Sequence, residues 1–132
     1  RSLAEHFWPG ALTLVLQRSG LISDIITGGS DKIALRVPWH RIPLAITKEL
    51  GRPITGTSAN KSGQPGIDNA HTVQSELGRE IDLVIDGGKV PNGSPSTVLD
   101  ITSDMPIILR QGSVSRIEIE AICGFEIATV VV

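Results

Sequence analysis

The stretch Ser96-Thr97-Val98-Leu99-Asp100-Ile101-Thr102-Ser103-Asp104-Met105-Pro106-Ile107-Ile108-Leu109-Arg110 holds two short apolar, β-branched runs separated by a polar turn. A connection this short leaves no room for a crossover helix, so the two runs are expected as antiparallel strands. Upstream, Leu12 to Arg18 and Lys32 to Pro38 read as strands, the first apolar enough for burial on both faces. Pro53 to Thr57 and Ile81 to Asp86 are also expected as strands, and Glu126 to Val132 as a last one. Helical spacing covers Arg41 to Leu50 and Ala70 to Leu77, each closed by a glycine. Ser115 begins a helix over Arg116 to Ile122, with Glu118 placed for a capping box. Residues 1–6 read as the last turns of a helix broken by Pro9 and Gly10. Helical crossovers between strands imply parallel pairs. The expectation is therefore one α/β domain over 1–132, a mixed parallel/antiparallel twisted sheet with flanking helices.

The chain has 132 residues, 40% of them hydrophobic and 20% charged, which excludes a disordered polypeptide. A net charge of −2 provides no global field for nucleic acid, so any RNA contact requires a local basic patch. The single Cys123 excludes an internal disulfide and a cysteine zinc cluster, and fits a reducing, cytoplasmic setting. No apolar run reaches membrane-spanning length.

Candidate chemistry concentrates in Thr57-Ser58-Ala59-Asn60-Lys61-Ser62-Gly63 and at two arginines. The loop brings hydroxyls, an amide, a cation and glycines together, which suits either an anion site or a surface turn. It is not a phosphate-binding Walker loop, because Asn60 stands where a glycine must precede the lysine. Ser58 lacks the strand-elbow context and the base of a hydrolase nucleophile. His6, His40 and His71 have no metal-ligand spacing. Asp82, Asp86 and Asp100 suit either a magnesium site or solvated strand ends. Arg36 and Arg110 each end an apolar run, where a guanidinium can grip a carboxylate or phosphate through two hydrogen bonds. With the hydroxyls at Ser94-Pro95-Ser96-Thr97, these groups point to an anionic ligand.

Six motifs occur in order: Phe7-Trp8-Pro9-Gly10-Ala11-Leu12-Thr13-Leu14, Ala34-Leu35-Arg36-Val37-Pro38, the loop at Thr57–Gly63, Asp86-Gly87-Gly88, Ser96-Thr97-Val98-Leu99-Asp100 and Ile108-Leu109-Arg110-Gln111-Gly112. Together they resemble the YrdC-like family, the L-threonylcarbamoyladenylate synthases. The resemblance implies a twisted α/β fold and the condensation of L-threonine, bicarbonate and ATP to threonylcarbamoyl-AMP and pyrophosphate. That product serves the threonylcarbamoyladenosine modification of tRNA. It places Arg36, Ser58 and Ser96 at L-threonine. Lys32 (through its backbone), Asn60, Asp68 and Arg110 fall at ATP, with Mg2+ as companion ion. At Asp68 the chain departs from the family pattern, since a carboxylate near phosphates needs an intervening metal. The family's Thr-Tyr-Gly strand and Lys-x-Arg motif are not found, and the chain has no Tyr.

The expectation is thus the C-terminal part of a YrdC-like domain, incomplete at the N-terminus and weak or inactive alone. An unpaired sheet edge would then offer a site of self-association. A double-stranded RNA or tRNA-binding module and a carbamoyl-transfer domain of hydrogenase-maturation type are the competing functions.

Overall fold

In the computed structural model, residues 1–88 and 95–129 are described. The elements run α1 (Ser2–Phe7), β1 (Leu12–Gln17), α2 (Asp24–Thr27), β2 (Lys32–Leu35), α3 (Arg41–Leu50), α4 (Ala70–Leu77), β3 (Thr97–Asp100), β4 (Ile107–Arg110), α5 (Arg116–Cys123) and β5 (Ala128–Thr129). The strands form one sheet in the order β2-β1-β3-β4-β5. β1 pairs antiparallel with β2 and parallel with β3. β3 pairs antiparallel with β4, and β4 parallel with β5. The mixed sheet expected from the short turn at Thr102–Asp104 is therefore present.

Alternation along β1 divides the sheet into two unlike faces. Leu12 and Leu14 point into a core with Leu3, Leu99, Ile108, Val114, Ile119 and Ile127. α1 and α5 supply Leu3 and Ile119 and pack against each other across this face. The α5 cap explains why that helix starts where it does. Ser115 Oγ accepts from the Glu118 N–H at 3.2 Å while Glu118 Oε2 accepts from the Ser115 N–H at 2.7 Å. On the opposite face stand Thr13, Val15, Val98 and Asp100, where burial is incomplete and polar groups collect.

Two expected strands are not strands. Pro53–Thr57 is exposed backbone, with Ile54 45% accessible. Ile54 is its one large apolar side chain, Pro53 cannot donate to a ladder and Gly56 adds nothing to bury. Ile81–Asp86 alternates as a strand should, but its neighbours are α3, α4 and the loop before α4. With them it lines a cavity of about 500 Å³ that includes His40, Pro43, Val73 and Leu83. A strand needs a partner ladder, and among the described residues none lies beside it. The expected strand at Glu126–Val132 shortens to β5, and residues 130–132 lie outside the described residues. β2 ends at Leu35 rather than Pro38, and the short α2 was not foreseen.

Candidate functional site

The polar face of the sheet gathers Arg36, Ser96 and Arg110, three of the residues singled out in the sequence. Ser96 lies just before β3 and is 7% exposed. Arg110 donates from Nε and Nη2 to the Ser96 carbonyl at 3.2 and 2.9 Å, and from Nη2 to Ser96 Oγ at 3.1 Å. Arg36 donates from Nε to the Gly10 carbonyl at 2.7 Å, using one of its five N–H groups. Partial burial, and then the Arg110 charge, hold the Arg36 guanidinium below its ordinary pKa. The Arg110 charge reaches the Arg36 guanidinium, and an anion is favoured near two such cations.

Backbone geometry puts these groups there. A β-bulge shifts the β3–β4 register, so Leu99 opposes Ile108 while Val98 opposes Arg110. Leu109 is the extra residue. In a regular ladder, with Leu109 paired to Val98, Arg110 would oppose Thr97 and share the face of the buried Ile108. Gly10 and Gly112 are required by close approach. A Cβ on Gly10 would lie 2.3 Å from the Phe7 carbonyl oxygen, and one on Gly112 only 2.1 Å from that of Pro95. Thr97, fully buried, donates to the Val114 carbonyl at 2.6 Å and accepts from the Gly112 N–H at 2.9 Å. The turn after β4 is thereby clamped onto the backbone that carries Ser96.

Lys32 and Asp100 form a second polar pair on this face. Lys32 Nζ lies 2.9 Å from Asp100 Oδ2, and Asp100 Oδ1 accepts from the Thr102 N–H at 2.8 Å and its hydroxyl at 2.6 Å. The Lys32 ammonium, followed by Thr102, lowers the Asp100 pKa to about 2. The backbone N–H of Lys32 donates to Ser30 Oγ at 3.1 Å. Asp100 is therefore a strut between β2 and β3, and the magnesium alternative raised for it loses its free carboxylate. Asp86 Oδ1 likewise accepts from the Gly88 N–H at 2.9 Å. Among the described residues no group of three or more His, Cys, Asp or Glu could hold a metal ion.

Ser58, Asn60 and Asp68 lie on the segment between α3 and α4. Ser58 is exposed and its Cβ stands 3.7 Å from where a Cβ on Gly66 would sit. The loop is closed by the Ile67 N–H on the Ala59 carbonyl at 2.9 Å. Asn60 donates to the Lys61 carbonyl at 2.9 Å, while its buried Oδ1 has no partner among the described residues. Asp68 accepts from Asn69 Nδ2 at 2.8 Å and lines the cavity beside α4. Among the described residues no hydrogen bond joins Ser58 or Asn60 to the Arg110–Ser96 cluster. Ser94 lies outside the described residues. The sequence reading missed Thr13, whose Oγ1 sits 2.8 Å from Ser96 Oγ. Its signal was the alternation of β1, which turns Thr13 away from Leu12 and Leu14.

Fold and face together define an α/β domain with a mixed open sheet, one face of which carries Arg36 and Arg110. The chain belongs to the Sua5/YciO/YrdC family, whose sequence model, described as telomere recombination, matches residues 1–112. It is 44% identical over 122 residues to a threonylcarbamoyl-AMP synthase of Pyrococcus abyssi, covering 92% of this chain and 36% of that protein. It is 40% identical over 125 residues to the threonylcarbamoyl-AMP synthase of Bacillus subtilis, covering 94% of this chain and again 36% of the relative. The crystal structure of P. abyssi Sua5 complexed with L-threonine superposes with a TM-score of 0.90 at 44% identity, over 97% of this chain and 37% of that one. The chain thus spans little more than a third of the length of these relatives. No helix among the described residues is long and apolar enough to cross a membrane.

Proposed function

We propose that this domain binds L-threonine and ATP on the polar face of its sheet, as part of a threonylcarbamoyl-AMP synthase. The observation that carries the reading is Arg110 held on the buried Ser96 hydroxyl, with Arg36 within reach of its charge. It lies in a chain that is 44% identical to a protein whose structure was solved with L-threonine. In this reading the threonine amine captures carbon dioxide from bicarbonate. The resulting carbamate oxygen attacks the α-phosphorus of ATP, and the α–β phosphoanhydride bond breaks to release pyrophosphate. Such a step depends on alignment of the two substrates and on cationic groups at the developing charge, without a covalent nucleophile.

Arg36, Ser96 and Ser58 take the threonine side; Arg110, Asn60 and the Lys32 and Asp68 positions take the nucleotide side. The described residues assemble no carboxylate set for Mg2+, so the ion would arrive on the ATP phosphates as part of that substrate. The product would supply the tRNA modification that uses threonylcarbamoyl-AMP. In the intact protein, pyrophosphate release should require L-threonine, bicarbonate and ATP together. Arg36→Ala should raise KM for threonine about ten- to hundredfold, and Arg110→Ala should do so for ATP, as expected for loss of a charge-assisted contact. Release that proceeds without threonine would sink the reading.

A further inference from the structure

We propose that Thr13 is a positioning residue that sets the Ser96 hydroxyl as a hydrogen-bond donor toward the carboxylate of L-threonine; the inference rests on the function proposed above. A serine hydroxyl has one hydrogen and two lone pairs. Arg110 can only donate, so its Nη2 contact at 3.1 Å occupies one lone pair of Ser96 Oγ. Thr13 Oγ1 lies 2.8 Å from the same oxygen, where either hydroxyl can give the proton. If Ser96 gave it, its one hydrogen would be spent within the protein, and a lone pair would face the ligand. A carboxylate accepts and cannot donate, so that arrangement would set acceptor against acceptor. With Thr13 donating, both Ser96 lone pairs are filled and its O–H is left for the ligand.

The placement of Thr13 holds its Oγ1 beside Ser96. Leu12 and Leu14 on either side of it are buried in the core at 0% and 3% exposure. The register sets Thr13 opposite Val98, which is itself opposite Arg110. Thr13 and Arg110 thus reach Ser96 from the two strands flanking β3. A β-branched side chain in a strand also keeps few rotamers, so its hydroxyl stays aimed.

The test uses the intact protein and L-threonine binding by titration calorimetry. Thr13→Val should weaken L-threonine binding about five- to tenfold, the loss of one oriented hydrogen bond, and leave ATP affinity within about twofold. Thr13→Ser, which returns the hydroxyl, should recover most of the loss. The preference for L-threonine over L-threoninamide should shrink in Thr13→Val by a similar factor, an effect that loosened packing alone would not produce. Thr13→Val added to Ser96→Ala should cost nothing further. Should Thr13→Val fail to fold, Thr13→Ala against Thr13→Ser gives the same comparison. Equal loss of ATP and threonine affinity, no rescue by serine, or additivity with Ser96→Ala overturns the inference. If the wild-type protein binds L-threonine and Thr13→Val is unaffected, the inference alone falls. If the wild type binds no L-threonine, the functional reading falls and takes the inference with it.

Discussion

Asp100 shows how a single carboxylate can serve as framework when both its oxygens are engaged. It sits on the polar side of β3, 8% exposed, with one oxygen held by Lys32 and the other by Thr102. The lysine bond crosses from β2 to β3 over the intervening β1, so the pair ties the sheet together on the face that α1 and α5 do not cover. Its folded-state pKa, about 2, lies below the ordinary value of 3.8. The contribution to stability is therefore complete above the unfolded value and fades as pH falls through the folded one. Asp100→Asn should lower the thermal midpoint at neutral pH. The gap to wild type should stay level down to about pH 5 and close between about pH 4 and 2. Thermal melts across that range check it, and a gap independent of pH would contradict the ion-pair account. In the sequence Asp100 was open to two readings, because nothing in Val98-Leu99-Asp100 reveals that Lys32 arrives two strands away.

The turn and strand after β3 show what periodicity conveys and where it stops. The apolar run Ile107-Ile108-Leu109 made β4 legible, and the polar turn before it made the pairing antiparallel. Strict alternation, however, would set Arg110 on the side of the buried Ile108, and only the bulge at Leu109 brings it opposite Val98. Arg110 was singled out for its chemistry at the end of a run, not for a face that the sequence could specify. Ile81–Asp86 fails in the converse way. Its alternation is clean, yet periodicity reports only which side chains could share a face, and a ladder also needs a neighbour. Gly112 is the point where β4 and β3 are keyed together. A Cβ there would meet Pro95 O at 2.1 Å, Ser96 C at 2.4 Å and Thr97 N at 2.5 Å, all backbone atoms that cannot swing aside. Gly112→Ala should destabilise by about 2–4 kcal/mol, combining overpacking with loss of the bond from the Gly112 N–H to Thr97. It should also weaken threonine binding, because Ser96 moves with the displaced backbone. Urea unfolding measures the first effect, and a loss under about 1 kcal/mol would mean that β3 and the turn part more easily than this packing allows.

The whole molecule is a well-packed half and an open half. One sheet face is closed by α1 and α5 around Leu12, Leu99, Ile108 and Ile119. On the other, Ala34 and Arg36 of the β2 side remain exposed. The cavity lined by α3, α4 and the loop before α4 leaves Leu83 at 75% exposure and Ile85 at 53%. The motifs identified the family because they encode local backbone demands, such as Gly10 beneath the Phe7 carbonyl. They could not show whether Ser58 and Asn60 reach the arginine cluster, which is a matter of tertiary arrangement. Catalysis by positioning requires both substrates held and bulk water displaced from the reacting atoms. A face this accessible can supply binding contacts without supplying enclosure. We therefore expect the 132-residue chain alone to keep measurable L-threonine affinity, while its pyrophosphate release falls far below that of the P. abyssi relative, of which it matches 36%. Both proteins would be assayed with L-threonine, bicarbonate and ATP under one set of conditions, with threonine binding measured in parallel. Turnover comparable to the relative would show that the groups on this open face suffice for the reaction. Loss of threonine binding together with turnover would show instead that Arg36, Ser58 and Ser96 need further contacts to bind threonine at all.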